Sequence, residues 1–181
     1  IDRSVKKGSG ELKGEITVGV TYEAYAPGGT ALIIECLTDN KNRTLPNLRS
    51  IIEKRGGKMA ESGSVMFMFT QKGVVTAAGE LNDDLELALM DANVEDIDSG
   101  DGMITTTGDT SSWTKARDTF KEAGLEVEEA GMKFVPLQEV NIDNVEAAQK
   151  LMDLIAAIEE DEDVSDVHTN ADITDEVASQ L

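Results

Sequence analysis

Two side chains suited to nucleophilic or general-base work occur once each, Cys36 and His168. They stand far apart in sequence, and nothing in the spacing pairs them. Cys36 lies in the apolar run Ala31-Leu32-Ile33-Ile34-Glu35-Cys36-Leu37, which reads as a buried strand with an inert thiol. A lone cysteine makes no intrachain disulfide and no cysteine zinc site, which suits the cytoplasm, or the mitochondrial matrix in a eukaryote. There is no G-x-S-x-G motif and no His/Cys ligand set. Acids are abundant, but none is singled out as half of a catalytic pair. Asp98 and Asp101 lack EF-hand spacing and read as a hairpin turn. The sequence therefore predicts a protein that is not an enzyme, with no cofactor and no metal.

The remaining chemistry is charge. The formal net charge is −20, and it is unevenly spread. Residues 1–79 carry a net +3, and residues 80–181 a net −23. Such an imbalance bears on partners and solubility rather than on fold. It puts any contact with nucleic-acid phosphates before residue 80. The candidates are Lys41, Arg43, Arg49, Lys54, Arg55 and Lys58, with Arg43 just ahead of a helix N-terminus that favours an anion. The competing reading is an ordinary solvated helix face. A second candidate is the turn Ala26-Pro27-Gly28-Gly29. It lacks G-x-G-x-x-G spacing and the Gly-Lys-Ser/Thr of a phosphate loop. It reads as a rigid turn whose Tyr25, Pro27, Gly28 and Gly29 offer a partner a close approach to backbone.

The positioning elements follow from periodicity. Ile16, Val18 and Val20 alternate as in a strand, and Thr30–Thr38 is a second strand, central in its sheet. A helix is predicted from about Thr44, with Pro46 in its first turn and Leu45, Leu48, Ile51 and Ile52 as its stripe. Gly56-Gly57 ends it. Residues 64–70 read as a strand that turns at Gln71-Lys72-Gly73 into a further strand, 74–78. Asn82 opens a helix, and Ser99–Gly102 joins two strands. Ser111 or Ser112 starts a helix with Trp113, Ala116 and Phe120, followed by a strand over 126–135. Asp143 is expected to cap a long helix, with Glu146 completing a capping box. A strand over 164–168 precedes a polar, loose tail. The run Glu159–Asp163 is expected to be solvated.

The irregular alternation predicts an α+β class, with two ferredoxin-like α/β sandwich domains and mostly antiparallel sheets. No run is apolar enough to span a bilayer.

Several motifs are similar to those of the YebC/PmpR family. Tyr22-Glu23-Ala24-Tyr25-Ala26-Pro27-Gly28-Gly29 resembles its Tyr-Glu-Gly-Tyr-Gly-Pro-Gly-Gly signature, with Ala24 and Ala26 where the family has Gly. Thr38-Asp39-Asn40-Lys41-Asn42-Arg43-Thr44 resembles its Thr-Asp-Asn-x-Asn-Arg-Thr loop. Gly56-Gly57, Gly63-Ser64-Val65 and Val167-His168-Thr169-Asn170-Ala171-Asp172 resemble later elements, with His168 where Tyr is commoner. The resemblance implies that a basic three-helix domain precedes residue 1, and that residues 1–14 are its last helix and a linker. It also implies one discontinuous domain of residues 15–79 and 138–181 around an inserted acidic domain, 80–137.

The expected function is a gene-expression regulator that binds nucleic acid, DNA in the first instance, mainly through that preceding domain. The alternatives are a translation activator working at the ribosome, or a small-molecule-sensing regulatory module. No membrane partner is expected.

Overall fold

A computed structural model describes residues 16–181. The expectations for residues 1–14 lie outside the described residues. The chain divides into two compact units. Unit 1 joins the N-terminal segment up to Met68 to Pro136–Leu181, and unit 2 is Phe69–Val135.

Unit 1 opens with β1 (Val18–Ala26) and β2 (Thr30–Thr38), an antiparallel hairpin with Tyr22 opposite Ile34 and Ala24 opposite Leu32. Helix α1 (Lys41–Lys54) leads to β3 (Lys58–Met59), which pairs with β1. After unit 2 come β8 (Val140–Ile142), α4 (Val145–Glu159), β9 (Val164–Thr169), β10 (Ala171–Ile173) and α5 (Asp175–Ala178). The main sheet runs β9-β2-β1-β3, and β8 and β10 form a small parallel pair.

Alternation along β1 and β2 decides the layers, because residues two apart share a face. Ala24, Leu32, Ile34 and Cys36 meet Leu48 and Ile52 of α1 and Leu151, Leu154 and Ile158 of α4 in one core. Each fully buried Leu or Ile there contributes about 1.5–3 kcal/mol. On the other face, Ile33 is fully buried and Glu23 is 3% exposed.

Unit 2 contains β4 (Phe69–Ala78), α2 (Asp83–Asp91), β5 (Val94–Gly100), β6 (Met103–Gly108), α3 (Trp113–Glu122) and β7 (Glu126–Pro136). Its sheet order, β5-β6-β4-β7, is the βαββαβ arrangement of a ferredoxin-like sandwich. Val75, Ala77 and Ile104 pack beneath Leu85, Leu89, Ala116 and Phe120. Both four-stranded sheets carry two helices, as the α+β reading requires.

Several local expectations are corrected. Helix α1 starts at Lys41 rather than Thr44, because the Asn40 side chain accepts the Arg43 N–H and caps it. Pro46 therefore sits beyond the first turn. Residues 66–68 form a 3₁₀ turn, and Gln71-Lys72-Gly73 continues β4 instead of breaking it. The boundary between the units thus falls at Phe69, since β4 pairs with β6, and not at residue 80. Asn144, not Asp143, caps α4. The tail is packed rather than loose, with β10 on β8 and Val177 buried against Ile142 and Ala148. No helix among the described residues is long and apolar enough to cross a membrane.

Candidate nucleic-acid interface

The six basic candidates fall into three settings. Arg43 lies inside α1, and carboxylates take up its guanidinium. Its Nε donates to Asp163 Oδ2 at 3.3 Å, and Nη2 donates to Asp163 Oδ1 at 2.8 Å and to Asp39 Oδ1 at 2.9 Å. Asp163 is 6% exposed, so the acidic run 159–163 is not wholly solvated. The hydrogen bonds from Arg43 hold the Asp163 carboxyl below the usual carboxylate range; burial pulls the other way, and Thr44 assists Arg43. Thr44 Oγ1 stands 2.8 Å from Asp163 Oδ2 and 2.8 Å from Thr38 Oγ1. The buried Thr38, Thr44 and Asp163 thus tie α1 to the start of β9.

Lys41 occupies the opposite end of α1 from Lys54, about 20 Å away at 1.5 Å per residue. Arg49 is exposed midway along the helix, beside an open depression that it shares with Pro46, Ser50, Glu53 and Lys54.

The third setting is the C-terminal end of α1. Lys54 and Arg55 sit where the helix dipole is negative and favours cations. Gly57 N–H returns to Ile52 O at 2.9 Å and closes the helix. A side chain at Gly57 would stand 2.8 Å from Tyr25 O, so only glycine lets the helix end come this close to β1. Lys58 then pairs directly opposite Tyr25. The Pro27–Gly29 turn lies against the same end: a Cβ at Gly56 would meet Pro27 Cγ at 3.8 Å. Thr30 Oγ1 donates to Pro27 O at 3.1 Å and tightens the turn. Gly28 and Gly29 are exposed, and Tyr25 is 42% exposed.

Two candidate groups separate in the sequence, the basic trio Lys54, Arg55 and Lys58 and the turn, therefore meet at one end of unit 1. Lys150 joins them, lining a depression with Lys54, Arg55, Gly56 and Asp153. It lies on α4, and its amine also contacts Glu146 at 3.1 Å. Lys54, Arg55 and Lys58 make no ion pair among the described residues. Sequence reading missed Lys150 because it was counted within the acidic remainder. Its place beside Leu151 and Leu154, one step off the apolar stripe of α4, is the signal that puts it on the helix's outer side.

Glu23 was missed as well. Its buried carboxylate accepts N–H groups from Gly63 at 2.6 Å and from Val65 and Met66 at 2.8 Å each. Burial raises its pKa, but the three donors together outweigh burial and leave it lowered.

Residues 18–171 match the profile of the family described as "TACO1/YebC second and third domain". The chain belongs to this family. A Thermobifida fusca relative named "Probable transcriptional regulatory protein" is 41% identical over 184 residues, covering all of this chain and 74% of the relative. A Fusobacterium nucleatum relative, "Probable transcriptional regulatory protein FN1661", is 38% identical over 183 residues, with the same coverage. The crystal structure of "a Conserved Hypothetical Protein Aq1575" from Aquifex aeolicus matches 96% of this chain and 72% of that chain, with a TM-score of 0.84 and 33% identity. In this TACO1/YebC member, Ala24 and Ala26 are buried in the unit 1 core, so their methyl groups fill space beneath α1 and α4 rather than disturb the turn.

Proposed function

We propose that this chain is a regulator of gene expression that acts by binding nucleic-acid backbone. The observation behind this reading is the meeting of Lys54, Arg55, Lys58 and Lys150 around the exposed Pro27–Gly29 turn. Lysine and arginine neutralise phosphates without reading bases, so the patch supplies affinity and salt dependence rather than sequence choice. The two bacterial relatives named as probable transcriptional regulatory proteins support the regulatory reading. Of the residues nominated from sequence, Arg49 extends the patch along α1, Arg43 is held by carboxylates, and Lys41 stands at the far end.

The protein acts by binding rather than by bond chemistry. Cys36 projects into the helix-packed core, whereas His168 stands opposite Ile33 on the other face of the sheet. The two cannot act as a nucleophile–base pair.

Within this chain, the acidic charge disfavours phosphate contact away from this end. Each unit carries a net −10, so phosphate approaching from elsewhere meets like charge. The target is DNA in this reading, and RNA, free or in the ribosome, is the competing one; both offer the same phosphates.

The test is fluorescence anisotropy of labelled duplex DNA and single-stranded RNA against this chain, from about 50 to 200 mM salt. Replacing Lys54, Arg55 and Lys58 together by Ala should weaken binding and reduce the salt slope by roughly two to three. Unchanged affinity and slope on both nucleic acids would remove this surface from the interface.

A further inference from the structure

The chain's one histidine stands beside two carboxylates on the sheet face away from α1 and α4. Glu35 on β2 and Asp166 on β9 are cross-strand partners, and His168 is opposite Ile33, two positions further along. Residues two apart share a face, so the three side chains leave the sheet on the same side. A register shift between Val164 and Asp166 bulges β9 next to this group, and bulges re-aim side chains. His168 Nε2 lies 2.6 Å from Glu35 Oε2 and 3.7 Å from Asp166 Oδ2. One ligand atom from each residue falls within 4.8 Å of the other two.

We propose that Glu35, Asp166 and His168 bind one divalent transition-metal ion of the zinc type. One imidazole nitrogen with two carboxylate oxygens is a donor set suited to Zn²⁺ and its neighbours. Mg²⁺ and Ca²⁺ prefer oxygen alone. The two carboxylates balance the dication's charge.

The distances fit with small movements. Ligand atoms around a tetrahedral Zn²⁺ stand about 3.3 Å apart at ordinary bond lengths. The Glu35 contact must open and the Asp166 contact must close, each by less than about 1 Å, and the two carboxylates, within 4.8 Å of each other, must close by at most about 1.5 Å. The imidazole is the fixed point, with its side chain 8% exposed, while the Glu35 and Asp166 side chains are 34% and 33% exposed, and Asp166 Oδ1 accepts the Val167 N–H at 2.9 Å. Three protein ligands leave a fourth position for water on the open side. Cys36, the other soft donor, is on the opposite face of β2 in the helix-packed core and does not compete.

The test uses this chain with Zn²⁺ as the probe, in millimolar Mg²⁺ to occupy oxygen-only surface sites. His168 is the only imidazole, so its ring signals in NMR report this site alone. The expected result is saturation at one Zn²⁺ per chain with the His168 ring signals shifted. His168→Gln and Asp166→Asn should each weaken binding by about tenfold or more. Asp166 is partly exposed, so its variant carries the test even if His168→Gln fails to fold. An unmoved His168 ring, or an Asp166→Asn chain that binds Zn²⁺ as tightly as the parent, would overturn the proposal and leave only adventitious binding to surface acids.

Discussion

Asp163 holds Arg43 with both carboxylate oxygens, and these two residues lie 120 positions apart. The pair spans the whole of unit 2 in sequence and clamps the entry of β9 to the first turn of α1. An arginine engaged in this way contributes to folding more than to phosphate binding. Arg43→Ala should therefore lower the urea midpoint while changing the salt slope of nucleic-acid binding by less than about half a unit, where a direct phosphate contact changes it by about one. A full-unit loss of slope with an unchanged urea midpoint would return Arg43 to the interface.

Glu23 gives a pH dependence whose sign is fixed. Its folded pKa is lowered, because three backbone donors stabilise the carboxylate more than burial penalises it. The stabilisation is therefore fully present above the unfolded pKa and is lost as pH falls through the folded one. Asp163 acts in the same direction. Stability should begin to fall below about pH 5. Glu23→Gln should cost roughly 1.5–3 kcal/mol at pH 7. That difference from the parent should shrink on acidification. A penalty that stays constant from pH 7 to pH 3 in urea titrations would contradict the role given to the three N–H donors.

The same carboxylate shows why parts of the fold were hidden in the sequence. Val65 to Phe69 has the composition of a strand, yet Val65 and Met66 spend their N–H groups on Glu23, more than forty residues earlier, and the chain coils into a 3₁₀ turn. Local pattern was enough where the partner is local. Asn82 caps α2 by accepting the Leu85 N–H, and Asp101 and Gly102 take positive φ in the hairpin turn. It was not enough where a distant partner decides the outcome. Asp163 looked like one acid in a solvated run until Arg43 and Thr44 closed on it. The tail looked loose because β8, which it pairs with, is only three residues long. In the candidate interface, the turn and the basic trio were each legible alone. Their meeting depends on the Tyr25–Lys58 register and on Gly57, and Lys150 arrives from beyond the whole of unit 2.

Gly28 tests how closely the turn is packed against the rest of unit 1. Its φ is +85°, and an added Cβ would stand 2.8 Å from Ile142 Cδ1. Left-handed backbone costs an alanine about 1–2 kcal/mol, and the collision with Ile142 adds to that. Gly28→Ala should destabilise the chain by roughly 1.5–3 kcal/mol. Gly29 also has positive φ, +76°, but nothing lies within 4 Å of its Cβ position. Gly29→Ala should therefore cost only the backbone part, about 1–2 kcal/mol. Equal losses for the two variants in urea unfolding would show that Ile142 yields without cost.

Cys36 offers a clean reading of how tightly unit 1 is closed. It is 3% exposed and lies in the core between β2 and the two helices. Burial pushes its thiol up to about 11, and the Asp161 and Asp163 charges act in the same direction. At pH 8 the thiolate population is then roughly two-hundredfold below that of a free cysteine at its usual pKa of about 8.5, before any barrier to access is counted. Because it is the only cysteine, a thiol reagent reports this position alone. Labelling of the native chain should be slow at pH 8 and should accelerate with urea in step with unfolding followed by circular dichroism. Labelling within seconds under native conditions would mean that solvent reaches β2 between α1 and α4. That would contradict the packing on which the clamp, the turn and the basic patch all depend.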